Sequence, residues 1–393
     1  MSGRPLRVAV VAACPFPLAR GTPVRVLRLS EALADRGHEV HVFTYHLGSG
    51  PVGSGVAVHR IADVPSYQKL GPGPSLPKLV KLDPMLWRLT RRAHRQQRFD
   101  VFHAHHYEGL MVGAAARLGR RVPLVYDAHT MLGSELPSYP LGLPMFAKRG
   151  LSRALDRMLP ALADHTVCVS QKIHDTLVHD IGMRPERVST MANGVEFEHF
   201  DPAPHPPPPG TGPQRVIFTG NLATYQGVDY LLRAFALVRQ RAPDARLAIG
   251  TDDRFDAYEA LAAKLGLREA VDVLPSPAFA DLPRLLASAH VAVNPRVDCD
   301  GVPVKLLNYM AAGRAVVSFA GSAPGVTHLR DGWLAQSADV ASLAAGIVAL
   351  LQDAELRQRM GAAARAYVDA NSRWASVAER CEALYRALMS AGQ

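Results

Sequence analysis

The feature that most constrains the fold is an alternation. Short runs rich in β-branched residues at 7–12, 39–45, 100–105, 123–129 and 165–170 are separated by longer stretches with helical spacing. After an interruption at 201–213, DPAPHPPPPGTGP, the alternation resumes at 215–220, 245–250, 270–275, 290–295 and 315–321. Parallel strands need crossover connections and helices supply them, so the pattern predicts an α/β fold with parallel sheets. The prolines of the interruption can continue neither a helix nor a central strand and read as a stiff hinge. A chain of 393 residues exceeds the roughly 250–300 residues at which a single core stops growing, which favours two domains. The expected division is an N-terminal domain over 1–200, a hinge over 201–214, a C-terminal domain over 215–370, and a closing helix over 371–393 that crosses back to the first domain. The helical spacing itself runs over roughly 354–389.

Composition narrows the class. Apolar residues make up 48% and charged residues 20% of the chain, as in ordinary globular proteins. No apolar run is long enough to span a bilayer. The N-terminal run Val8 to Cys14 is broken by Pro15 and Pro17 and reads as a buried strand rather than a signal peptide. Cys14, Cys168, Cys299 and Cys381 are far apart and form no CxxC pair, which fits a reducing, cytoplasmic setting. The formal charge of +9 lies wholly in the first half, where 25 Lys+Arg face 16 Asp+Glu, against 19 and 19 in the second. A basic half implies an anionic neighbour: membrane lipid, a phosphorylated substrate or nucleic acid.

Ligands of open parallel sheets bind beyond the carboxyl ends of the strands, so the loops there carry the chemistry. Three stand out. In CPFPLARGTPVR, Gly21 and Thr22 precede a helix, where a glycine permits close approach of an anion or sugar to backbone amides. An ordinary strand-to-helix turn explains these residues equally well, and no GxGxxG fingerprint supports a dinucleotide. FTGNLATYQGVDYLL repeats the pattern at Gly220. In the third, Arg296 and Asp300 precede the turn Gly301, Val302, Pro303, and Val304 opens a helix carrying Lys305 and Asn308. A buried helix with a snorkelling Lys305 is the bland reading of that loop; two such loops in one half favour a site.

His103, His105 and His106 resemble a metal cluster, but no nearby Asp or Cys is expected to complete the ligand set. His129 ends a strand, with Asp127 two residues before it on the same side, and is either site-facing or a satisfied core histidine. In DPMLWRLTRRAHRQQRF, Asp83 caps a helix whose Leu86, Leu89 and Ala93 share one side, with Arg88, Arg91, Arg92, Arg95 and Arg98 opposite. With the upstream LPKLVKL, residues 76–98 are a candidate contact with an anionic membrane surface, or simply a surface helix on its own sheet. No aromatic stacking platform accompanies the charge, so nucleic acid is not expected.

Several stretches together resemble a known family. PFPLARGTPVRVLRLSEALADRGHEVHVFTY, ADHTVCVSQKIHDTL, MANGVEFEHFDP, FTGNLATYQGVDYLLRAF and GVPVKLLNYMAAGRAVV are similar to glycosyltransferase family four, in the right order and over nearly the whole chain. The resemblance implies the GT-B fold, two Rossmann-like domains facing across a cleft. It implies retaining transfer of a sugar from a nucleotide-diphosphate donor, held by the C-terminal domain, to a cell-surface glycan or lipid-linked acceptor held by the N-terminal domain. No cofactor or metal is implied, because helix N-termini and basic side chains stabilise the departing diphosphate. His129 matches the histidine that approaches the donor sugar, and Gly301 to Val304 match the backbone that cradles phosphates and sugar.

The chain departs from the family at four charged positions. An Arg and a Lys that touch the diphosphate in many members are Asn221 and Gln226, and two glutamates with seven residues between them align with Asp300 and Asn308. A charge-assisted hydrogen bond contributes about 1.5–3 kcal/mol, so losing two uncompensated would weaken donor binding by roughly 10² to 10⁴ fold. Lys305, with Arg296, is the expected source of the missing charge, and Asn308 the neutral partner of the ribose. Two other readings follow from the same residues: a non-catalytic glycan-binding protein with a degenerate donor site, and an enzyme of the same fold acting on a soluble sugar phosphate. The setting expected for the main reading is cytoplasmic, peripheral at the inner face of the membrane.

Overall fold

The computed structural model describes residues 4–18, 21–70, 75–136, 144–203, 213–299 and 301–391. It divides into two compact units, one of residues 1–193 with 374–393 and one of residues 194–373.

Unit 1 is a seven-stranded sheet whose strands pair in parallel: β1 (Arg7–Ala12), β2 (Glu39–Thr44), β3 (Val56–Arg60), β4 (Val101–His105), β5 (Leu124–Ala128), β6 (His165–Cys168) and β7 (Val188–Thr190). Its helices are α1 (Gly21–Asp35), α2 (Asp83–Gln97), α3 (His106–Ala116), α4 (Leu132–Glu135), α5 (Met145–Met158) and α6 (Gln171–Asp175). The strand order is β3-β2-β1-β4-β5-β6-β7. The chain builds outward from β1 to β3 and then returns to β4, so the topological switch point lies between β1 and β4. Helices cover both faces: in β1, Ala9 and Val11 join one core cluster while Val8, Val10 and Ala12 join the other. That is why the strand reads as an unbroken apolar run.

Unit 2 repeats the design with β8 (Arg215–Thr219), β9 (Arg246–Gly250), β10 (Val271–Leu274), β11 (Val291–Asn294), β12 (Ala315–Phe319) and β13 (Trp333–Ala335), in the order β10-β9-β8-β11-β12-β13. Its helices are α7 (Val228–Arg241), α8 (Asp256–Lys264), α9 (Leu282–Ala287), α10 (Val304–Ala311), α11 (Val340–Gln352) and α12 (Ala354–Asn371). Here the switch point lies between β8 and β11, so the Gly220 and Gly301 loops flank it.

Four sequence expectations are corrected. The closing helical stretch is not continuous: α12 stops at Asn371 and a separate helix, α13 (Trp374–Ala391), belongs to unit 1. There Val377, Ala378, Cys381 and Tyr385 are buried in the cluster that holds Val26, Leu29 and Leu33 of α1. The first unit ends at Asn193 rather than 200, because Val195, Phe197 and Phe200 are buried with Leu306, Tyr309 and Met310 of α10. Asp83 does not cap α2: a π-helical turn over Lys78–Leu82 runs straight into it. Its buried carboxylate instead accepts a hydrogen bond from Tyr45 Oη at 2.6 Å, and burial raises its pKa to about 6. Finally, β3, β7 and β13 are absent from the sequence reading. The hinge falls largely at 204–212, outside the described residues. Among those described, no helix is long and apolar enough to cross a membrane.

Candidate active site

The donor-side residues converge at the switch point of unit 2. Strand β8 is followed by Gly220, whose φ of +132° is one that L side chains rarely adopt. A Cβ built there would lie 2.8 Å from Lys305 Nζ, so the lysine of the third loop fills the space over the second. That nitrogen donates to Gln226 Oε1 at 2.8 Å and sits 4.0 Å from the centroid of the Phe218 ring. Gln226 donates through Nε2 to Asn221 Oδ1 at 3.3 Å, and Asn221 Nδ2 donates to Tyr225 Oη at 3.2 Å. Arg296 lies over Tyr225, 5.0 Å from its centroid. Gly220, Asn221, Gln226, Arg296 and Lys305 thus form one polar cluster.

Burial, joined by the charge of Arg296 and opposed by a smaller effect of Cys299, lowers the Lys305 pKa to about 7. A buried ammonium with one side-chain acceptor and an aromatic ring as neighbours is short of negative charge, and an anion would supply it.

The third loop enters α10 through Gly301, Val302 and Pro303, which occupies the N-cap position without a side-chain cap. The amides of Leu306 and Leu307 donate to the Pro303 carbonyl, while those of Val304 and Lys305 precede the first intrahelical bond and have no side-chain cap, a favourable arrangement for an anion. One turn on, Asn308 is buried and its Oδ1 has no hydrogen-bond partner. A buried acceptor left unmatched costs about 1–3 kcal/mol, which a hydroxyl donor would recover. Gly313, φ +65°, closes the helix. Asp300 lies outside the described residues.

Gly21, Thr22 and His129 belong to unit 1. Gly21 opens α1 with φ +52° and with open space where a Cβ would stand. One turn later the buried Arg25 reaches Asp127 at the end of β5, Nε to Oδ2 2.9 Å. Asp127 also accepts from His103 Nε2 at 3.2 Å, and His103 Nδ1 accepts from Tyr385 Oη of α13. His129 is joined through Nε2 to His105 Nδ1 at 3.0 Å. Its ring lies 5.0 Å from that of His106, which opens α3 with the strained φ of +62°. Burial works against the Asp127 carboxylate, but Arg25 and the neighbouring histidines outweigh it and hold its pKa well below the usual range. Burial drives His105 and His129 well below theirs despite Asp127, so both rings are neutral at pH 7.

Asp127 thereby completes the ligand set the sequence reading found lacking: side-chain atoms of His103, His105 and Asp127 lie within 4.8 Å of one another. Strand register brings this about, since His105 and Asp127 are paired residues of β4 and β5. Asp127 Oδ2 accepts from Arg25 and His103 while Oδ1 has no hydrogen-bond partner, and the adjacent guanidinium opposes a second cation, so the geometry is that of an ion-pair network. The residues that reading missed are Arg25, Tyr385, Phe218 and Tyr309, whose Oη accepts from the Thr219 amide at 2.7 Å. Each acts across sequence distances that local spacing does not reveal.

Comparison with known proteins agrees with this architecture. The family model described as Glycosyltransferase Family 4 matches residues 19–199, and that described as Glycosyl transferases group 1 matches residues 213–353. Among curated proteins, the chain is 28% identical to a D-inositol 3-phosphate glycosyltransferase of Nocardia farcinica, over 96% of this chain and 88% of that one. It is 26% identical to one of Corynebacterium diphtheriae, over 97% and 94%. Among solved structures, sucrose-phosphate synthase from Thermosynechococcus elongatus superposes with a TM-score of 0.79 at 19% identity, covering 98% of this chain and all of that one. HepE of Anabaena in complex with UDP superposes at 0.74 and 18% identity, covering 97% and 100%. Two Rossmann-like units and two family models in the matching order lead to one conclusion: the chain belongs to the family-four glycosyltransferases, with the GT-B fold.

Proposed function

We propose that the protein transfers a sugar, with retention of configuration, from a nucleotide-diphosphate donor to a cell-surface glycan or lipid-linked acceptor, at the cytoplasmic face of the membrane and without a metal or other cofactor. The observation that carries this reading is the position of Lys305 Nζ, between Gly220 and Gln226 in the loop where many family members place their own basic residues. The diphosphate is bound by the Lys305 side chain, the amides of Val304 and Lys305 at the start of α10, and Arg296; the ribose hydroxyls are bound by Asn308. In unit 1, His129 orients the donor sugar and stabilises charge near the anomeric carbon, steadied by His105. As the bond to the leaving phosphate lengthens, Lys305 and the helix N-terminus neutralise the charge that collects on it. The leaving phosphate takes the acceptor hydroxyl proton, so no separate protein base is assigned.

A soluble sugar phosphate is the second acceptor reading, supported by the curated relatives named for inositol 3-phosphate. Turnover of a water-soluble sugar phosphate without lipid or detergent decides for it. Calorimetric titration with UDP, GDP, ADP and TDP tests the donor site itself: micromolar binding of one nucleotide is expected, and no binding of any by the folded protein points to a degenerate site that binds glycan without catalysis.

A further inference from the structure

Two neighbouring elements of unit 1 are turned inside out. Helix α5 buries Lys148, Ser152 and Asp156, four residues apart along one side, while Met145, Phe146, Leu151 and Met158 are exposed, Phe146 to 79%. A surface helix ordinarily does the reverse. The π-helical turn before α2 repeats the inversion: Lys78 is buried, while Leu79 and Val80 and the preceding Leu76 are exposed, Leu76 to 71%.

Both elements are anchored by these inward polar residues at one place, the first turn of α3. Lys78 Nζ lies 3.8 Å from Glu108 Oε1. Tyr107 Oη donates to Asp156 Oδ1 at 2.5 Å, and Asp156 also accepts from the amides of Leu132 and Gly133, capping α4. The outward apolar side chains therefore belong to one end of the unit, beside the carboxyl end of β4. They are mixed with the exposed Lys81, Arg149, Arg153 and Arg157, and neither element exposes a carboxylate. By contrast α2 buries Leu86 and Ala93 in the core and keeps Arg88, Arg92 and Arg95 in water, as an ordinary surface helix does.

We propose that α5 and the Leu76–Leu82 segment form a docking surface for an anionic lipid bilayer, with the apolar side chains entering the interface and the basic ones meeting phosphate headgroups. Exposed apolar residues interspersed only with cations match that partner in both hydrophobicity and charge. The inference deepens the membrane setting of the proposed function and stands whether the acceptor is lipid-linked or soluble. It also moves the candidate membrane contact within 76–98 from the arginine helix to the segment before it.

Flotation with vesicles tests this. The full chain is expected to float with phosphatidylcholine–phosphatidylglycerol vesicles, not with phosphatidylcholine alone, and less at high salt. Phe146→Ser with Leu79→Ser is expected to abolish flotation without shifting the melting temperature. Arg149→Gln, Arg153→Gln and Arg157→Gln are each expected to lower partitioning roughly fivefold. Absence of flotation, indifference to lipid charge, or variants that float like the parent would overturn the proposal. So would a protein that ignores vesicles but forms a dimer lost in Phe146→Ser, which would assign the face to a second copy of the chain.

Discussion

Lys305 Nζ stands 2.8 Å from Gln226 Oε1, 79 residues earlier in the chain. An ammonium carried by α10 thus reaches the loop after β8 and meets a neutral amide there; in the proposed donor site it takes the place of the cation that the family resemblance implies for that loop. Lys305 and Gln226 therefore act as one unit, and a change at either is felt at the other.

The close approach over Gly220 makes that glycine a test of the arrangement. In Gly220→Ala, the new methyl meets Lys305 Nζ at 2.8 Å and the backbone is held at φ +132°. The lysine end can swing away, but the backbone strain of about 1–3 kcal/mol cannot be avoided. Nucleotide affinity is expected to fall about tenfold or more by calorimetry, with a lower melting temperature. An unchanged affinity contradicts the placement of the diphosphate.

Donor binding is expected to depend on pH. In the free protein burial holds the Lys305 pKa at about 7, and a diphosphate beside it raises that value. Between the free and bound values, binding takes up a proton, so affinity weakens as pH rises above about 7, by up to tenfold per unit. Calorimetry at pH 8 in two buffers of different ionisation enthalpy is expected to register this uptake, and Lys305→Ala to abolish it. Identical apparent enthalpies in the two buffers contradict the prediction.

Asp127→Asn leaves the buried Arg25 without its carboxylate charge and leaves His103 only a neutral amide oxygen as acceptor. Breaking a buried pair in this way costs about 3–5 kcal/mol, or roughly 6–20 °C in the melting temperature of a unit of this size. A melting temperature within a degree of the parent shows that the network contributes little to the fold.

His129→Ala separates the roles of the two units. Loss of a group that acts at the sugar rather than at the nucleotide should lower kcat by about 10² to 10³ fold, with affinity for the nucleoside diphosphate unchanged. Parallel losses in both would place His129 in nucleotide binding instead.

The parallel α/β architecture was legible because central strands covered on both faces read as continuous apolar runs. Edge strands were not: in β3, Ala57 and Arg60 are exposed and its remaining residues only partly buried, so the signal is too weak to separate from a loop. Asp83 misled because its cap-like position before Pro84 ignores the helical turn already formed upstream. At the donor site, residue types and loop positions could be read from the residues and the family resemblance together. The inward reach of Lys305 over Phe218 could not, because it depends on β8 and β11 being neighbours. The same holds for Asp127, which meets His103 and His105 only through the pairing of β4 with β5.

The most direct measurement is affinity for whichever of the four nucleotides binds, in the parent, in Lys305→Ala, and in Lys305→Ala combined with Gln226→Lys, which returns the charge to the loop after β8 and can use the space the first change opens over Gly220. Loss of one charge-assisted contact predicts about 10- to 150-fold weaker binding in the single variant, with most of it recovered in the double variant. A single variant that binds that nucleotide as tightly as the parent would contradict the account.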